Sequence, residues 1–184
     1  NHEEITMARA LHELGTLREL TGADADLHRD HLLRLDAAGR RERFNGVADD
    51  RFIHRYSQRC FAGRTRVFAL LDREGHVRGT AELHPPTLDE PADIAFSVEP
   101  QFRQLGIGTR LFEAVMSAAR YSRYPHLRIT STAANRAMRA LAHKFGARFT
   151  FEGGEVTGLL AVTDADGVAP RRHHIQGQIV ASVA

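Results

Sequence analysis

From Thr16 to Thr21 apolar and polar side chains alternate, the period of a strand with one buried face. A short amphipathic segment, Glu3 to Leu14, precedes it. Beyond Asp24 the period becomes helical, predicting a helix over Ala25 to Ala38 and a second over Asp50 to Cys60, with Asp24 and Asp49 as N-caps. Alternation returns at Arg66–Leu71 and Val77–Leu83, around Asp72-Arg73-Glu74-Gly75, whose glycine suits the left-handed residue of a hairpin turn. A strand from Ala92 to Val98 runs into a glycine-spaced loop, after which Ile107, Leu111, Val115 and Ala118 form one apolar helical stripe. His126 to Thr130 reads as a strand. Asn135 to Phe145 reads as a helix with Met138, Leu141 and Phe145 on one side and Gly146 as its C-terminal cap. Arg148–Phe151 and Val156–Val162 are predicted as a closing hairpin around Glu152-Gly153-Gly154-Glu155.

This order predicts an α/β (mixed α+β) fold, a mixed sheet with helices on its faces. At 184 residues, 42% hydrophobic and 26% charged, the chain fits one domain with one core, and no repeat or Pro/Gly/Ser linker divides it. No apolar run approaches the ~20 residues of a membrane-spanning helix. Asn1-His2-Glu3-Glu4 lacks the basic flank and apolar core of a secretion signal. The single cysteine, Cys60, permits no internal disulfide or metal-binding pair, so a cytoplasmic protein is expected.

The loop after Ala92–Val98 carries the first chemical signal. In Arg103-Gln104-Leu105-Gly106-Ile107-Gly108 the glycines leave main-chain amides bare where an anion could approach, and the following helix adds its positive dipole end. A plain strand-to-helix turn would use the same glycines. A dinucleotide fingerprint fails because Leu111 stands where its third glycine belongs, and a P-loop fails because the only lysine is Lys144.

Net charge is +2, yet nearly every cation is arginine, with a cluster at Arg29, Arg34, Arg40, Arg41, Arg43, Arg51, Arg55 and Arg59. Interspersed acids favour a solvated helical surface, with a phosphate-meeting patch as the alternative. No aromatic–basic interleaving suggests nucleic-acid binding. Among eleven histidines, His28 and His31 lie one turn apart and His173 and His174 are adjacent. Neither pair has a cysteine or carboxylate at ligand spacing, so exposed residues and no metal are expected; His84 and His143 read as structural.

Arg-x-x-Gly-x-Gly at Arg103–Gly108, after Phe96-Ser97-Val98, resembles the acetyl-CoA signature of the Gcn5-related N-acetyltransferase (GNAT) family. Asn135 to Gly146, an asparagine opening the last helix and a glycine eleven residues on, resembles the family's second signature. The resemblance covers about 16–163, between an N-terminal helical extension (1–15) and a C-terminal tail (164–184). It looks nearest to bacterial protein-lysine acetyltransferase domains through Arg43-Phe44 and the Asn-x-x-Met opening of the last helix. It implies a GNAT fold with a mostly antiparallel sheet splayed between two strands. Acetyl-CoA would pair its pantetheine arm with Phe96, Ser97 and Val98. The amides of Gln104, Leu105, Gly106, Ile107, Gly108 and Thr109 would hold its diphosphate, with Asn135 on the arm and Arg103 holding the loop or approaching a phosphate.

The implied reaction is direct acetyl transfer to a primary amine in a ternary complex, the acceptor being a protein lysine or a small amine. Partners are then acetyl-CoA and the acceptor, with a homodimer allowed and no nucleic acid or membrane. Asp93, thirteen residues before Gly106, stands where relatives place a strand glutamate as base. A bulge in the strand is assumed so that Asp93 and Val98 can serve one site. Glu82 is a second acidic candidate; Asp89 and Glu90 make the entrance acidic. The Val98 amide would hold the oxyanion. The tyrosine many relatives carry seven residues after the asparagine is Ala142, and the glutamate of another subgroup is Thr130. Ser131 or water would then protonate the thiolate. These departures keep a second reading open, a domain that senses acetyl-CoA without turnover. A weaker third is a phosphate-binding regulator.

Overall fold

The computed structural model describes residues 15–162. Seven strands form one sheet in the order β1-β2-β3-β4-β5-β7-β6: β1 Thr16–Leu20, β2 Arg66–Leu71, β3 Val77–His84, β4 Ala92–Val98, β5 His126–Thr132, β6 Arg148–Glu152 and β7 Glu155–Ala161. Every neighbouring pair is antiparallel except β4–β5, which is parallel and holds only Ala92↔Leu127 and Asp93↔Arg128. Past those two pairs the strands part. The predicted amphipathic segment at 3–14 and the tail at 164–184 lie outside the described residues.

Five helices flank the sheet: α1 Ala25–Arg34, α2 Ala37–Phe44, α3 Asp50–Ala62, α4 Ile107–Tyr121 and α5 Arg136–Lys144. On one face α4 lays Ile107, Leu111, Phe112 and Val115 against Phe68, Ala81, Leu83, Ile94 and Phe96. Phe112 stacks between Phe96, 4.9 Å away, and Phe145, 4.2 Å away, which ties α5 to the same face. On the other face α1 and α3 cover Val67, Ala69 and Val77, and Leu32, Leu35 and Ile53 form a second cluster that Phe44 of α2 joins.

The single helix predicted over 25–38 is two. Leu35 takes an extended backbone (φ −63°, ψ 135°) and points into the core, and Asp36 starts α2 by accepting from the Gly39 amide at 2.7 Å. The charged run Gly39-Arg40-Arg41-Glu42-Arg43 carries no apolar stripe, which hid α2 from the pattern. Asp49 caps α3 as expected, accepting from Phe52 N–H at 2.6 Å. Asp24 does not cap by side chain; its carboxylate accepts from Arg18 and Thr21 and closes the turn ahead of α1.

Candidate active site

β4 sets the centre of the site. Glu99 N–H donates to the Arg78 carbonyl at 3.0 Å, so the alternation of an antiparallel pair turns the main-chain groups of Ala95 and Ser97 toward β3. Those of Phe96 and Val98 face the opposite side, the side β5 has left. Donors and acceptors that a sheet would normally pair thus look into a cleft of ≈ 580 Å³. The assumed bulge is absent, since the β3–β4 register runs unshifted from Gly79↔Val98 to His84↔Asp93. Side chains of Asp93 and Val98 therefore stay on opposite faces.

The glycine turn closes one end of the cleft. Gln104 and Gly106 have φ of 61° and 79°, a left-handed pair that swings the chain from β4 into α4. Ile107, Gly108 and Thr109, whose first-turn amides an α-helix cannot satisfy internally, line that end. A Cβ on Gly108 would stand 3.1 Å from Leu141 Cδ2, so the bare position lets α5 close on α4. Arg103 Nε donates to the Val98 carbonyl at 3.1 Å, and its Nη2 lies 3.4 Å from Glu42, so this guanidinium holds the loop to β4 and α2.

Of the predicted cofactor residues, Phe96, Ser97, Val98, Arg103, Gln104, Gly106, Ile107, Gly108, Thr109 and Asn135 line the cleft; Leu105 does not and is 42% exposed. Asn135 Oδ1 accepts from the Met138 amide at 3.1 Å and caps α5. Ser131 lines the cleft, and its buried Oγ has no hydrogen-bond partner among the described residues. The wall that the sequence did not place at the site is Leu35, Gly39 and Glu42, with Arg43, read there only within the arginine cluster and the family resemblance, all brought there by the break between α1 and α2. No local pattern announces it.

Two acidic candidates lie outside the lining. Asp93 accepts from Arg128 Nε at 2.7 Å and Nη2 at 2.9 Å, and Arg128 also pairs with Glu90. Both Asp93 oxygens thus face a guanidinium. Glu82 is fully buried and accepts from His28 at 2.9 Å, Arg43 at 2.6 Å, His84 at 3.0 Å and the Tyr56 hydroxyl. Burial alone would raise its pKa, but the Arg43 charge with the His28 and His84 bonds outweighs that and holds it well below the usual carboxylate range. The same burial, reinforced by the Glu82 charge, pushes Cys60 up to about 12.

His28 and His31 are not exposed as expected; both are fully buried. Nor is the arginine cluster all surface, since Arg43 is buried against Glu82 and Arg40 donates to the Leu33 and Leu35 carbonyls and to Asp50. Three ligand-type groups, Asp72, Glu74 and His76, meet at the β2–β3 turn outside the cleft, where Arg78 already engages Asp72.

The family model for the acetyltransferase (GNAT) domain matches residues 16–148. The chain belongs to the GNAT acetyltransferase family. The general chemistry of this GNAT domain is acetyl-CoA-dependent acetyl transfer. Its fold is similar to the GNAT domain of S. lividans PAT, with a TM-score of 0.67 at 19% identity over 79% of this chain and 89% of that one. A GCN5-related N-acetyltransferase from Kribbella flavida gives 0.65 at 16%, over 79% and 96%. The yncA protein of Salmonella typhimurium, solved with its cofactor acetyl-CoA, gives 0.59 at 16%, over 85% and 98%. No curated protein matches the sequence. Within the GNAT frame, Ala142 packs into the core below the cleft and Thr130 lines it.

Proposed function

We propose that this GNAT domain transfers acetyl from acetyl-CoA to a primary amine, on a protein lysine or a small molecule, by direct attack in a ternary complex. The observation that carries the reading is the parting of β4 and β5 after two residue pairs, with Phe96 and Val98 main-chain groups facing the gap and the glycine turn at its end. The main-chain groups of Phe96 and Val98 hold the pantetheine arm, Asn135 assists, and the amides from Gln104 to Thr109 meet the diphosphate; Ser97, whose main chain is turned to β3, lines the cleft without holding the arm. The Val98 carbonyl is taken by Arg103, which leaves the Val98 N–H to stabilise the oxyanion without reorganisation. Ser131 Oγ, buried and unpartnered, donates to the departing thiolate.

Asp93 has a different task from the one its strand position suggests. Because its oxygens face Arg128, it acts with Glu90 as an electrostatic lure for a cationic acceptor at the closed end of the splay. Ala142, which offers no hydroxyl, favours a second reading, a sensor that binds acetyl-CoA without turnover. Calorimetry with acetyl-CoA, NAD and ATP, followed by thiol release over a panel of amines, tests both. The expected result is binding of acetyl-CoA alone and amine-dependent release. Absence of acetyl-CoA binding overturns the assignment, and binding without release selects the sensor.

A further inference from the structure

Ser97 lines the cleft on the face toward α1, and its Oγ lies 2.9 Å from Nε2 of the fully buried His31. His31 Nδ1 faces two groups that can only accept, the Val77 carbonyl at 3.3 Å and the Glu99 carboxylate at 3.4 Å. Nδ1 must therefore carry the hydrogen. Burial first, against the opposing pull of Glu99, lowers the His31 pKa below that of a free histidine, so the ring is neutral and Nε2 presents a lone pair. Ser97 O–H then donates to Nε2, and Thr80 Oγ1, 2.9 Å from Ser97 Oγ, donates to it in turn. Hydroxyl, imidazole and carboxylate are joined in the order that raises the basicity of a serine in hydrolases.

We propose that Ser97 and His31 form the proton relay of this acetyl transfer, Ser97 touching the acceptor amine and His31 receiving the proton. The proposal rests on the N-acetyltransferase reading above. As the neutral amine nitrogen bonds to the thioester carbonyl carbon, one of its protons passes to Ser97 Oγ while the Ser97 proton passes to His31 Nε2. The C–S bond breaks and the sulfur takes a proton from solvent through Ser131. His31 then returns its proton to solvent by the same path through Ser97. Glu99 makes the transient imidazolium tolerable in a buried place. Arg34 Nε at 2.9 Å and Arg78 Nη1 at 3.0 Å fix that carboxylate, and Arg34 and His28 are the cations and titratable groups that oppose charging of His31.

The test compares wild type with Ser97→Ala and His31→Asn in the full chain. Measured are acetyl-CoA affinity by calorimetry, kcat and KM for the acceptor across pH, the solvent isotope effect, and the thermal midpoint. Ser97→Ala is expected to keep acetyl-CoA affinity within about threefold and to lower kcat at least ~100-fold, the lower end for a lost acid–base group. The acid limb of kcat/KM and the isotope effect are expected to vanish with it. Nitrogen NMR of wild type is expected to report the Nδ1–H tautomer of His31 and its loss in His31→Asn, a readout independent of turnover. Ser97→Ala turning over at the wild-type rate with the acid limb retained overturns the relay alone. Weakened acetyl-CoA binding in Ser97→Ala with unchanged kcat makes Ser97 a binding residue only and also overturns it. Wild type that binds no acetyl-CoA removes the underlying reading instead, so the two failures are distinguishable.

Discussion

Single residues in this domain divide by which way their polar atoms face. Cys60 is buried beside Glu82, and a thiol pushed up to about 12 is protonated throughout the neutral range. Folded protein at pH 8 is therefore expected to react with a maleimide only on the timescale of unfolding, and urea-unfolded protein at once, as mass spectrometry would record. Glu82 is a buried anion paired with Arg43. Replacing it with Ala leaves Arg43 buried and uncompensated, and a loss of about 3–5 kcal/mol in urea unfolding is expected. Asp93 separates two accounts of acid–base work. With its oxygens on Arg128, Asp93→Asn is expected to raise KM for a cationic acceptor while leaving kcat within a few-fold; a kcat at least tenfold lower at constant KM would make it the base.

At the scale of elements, close approach between helix and sheet controls the cleft. Gly79 lies under α4, and an added Cβ would sit 3.0 Å from Ile107 Cγ2 and 3.2 Å from both Leu111 Cδ1 and Val98 Cγ2. These are rigidly packed neighbours, so Gly79→Ala is expected to cost about 1–3 kcal/mol in urea unfolding through overpacking. The short α2 depends on its cap. Asp36→Ala removes the 2.7 Å bond to Gly39 N–H and is expected to cost about 1 kcal/mol, and also to weaken acceptor binding, because Gly39, Glu42 and Arg43 are the cleft wall that α2 carries.

For the whole molecule, two buried polar networks between β3, β4 and the α1–α3 layer make acid the weak side. Burial would raise Glu99, but hydrogen bonds from His31 and Arg34 hold it at about 2 against an ordinary value of 4.5. A carboxylate depressed on folding contributes stability above its unfolded value and loses it as pH falls. His31, depressed below 6.5 by burial, acts in the same direction, because the unfolded chain takes up its proton first. Stability is thus expected to be level between about pH 7 and 8, to decline as pH falls through 6.5 and further between about 4.5 and 2, and to decline again on the alkaline side above about 9, where the unfolded Cys60 thiol ionises and the folded one does not. Thermal midpoints against pH check this, and His31→Asn is expected to flatten the first decline.

Most of the order of elements was legible along the chain, because alternation and the apolar stripe of α4 follow from burying one face of each segment. So were the glycine turn and Asn135, since short spacings within one loop or one helix start report the conformation that needs them. The break at Leu35 was not, because a single residue turned into the core interrupts no periodicity. Nor were the buried roles of His28, His31 and Arg43, whose partners Glu82 and Glu99 lie tens of residues away and meet them only when α1 and α2 pack across β3 and β4. The turning of Asp93 toward Arg128 likewise depends on where β5 stops pairing. Sequence alone determined what most segments are and where the glycine turn between β4 and α4 stands. Tertiary structure alone decided which polar side chains face one another, because burial removes water and makes each buried charge's nearest neighbours the only partners it has.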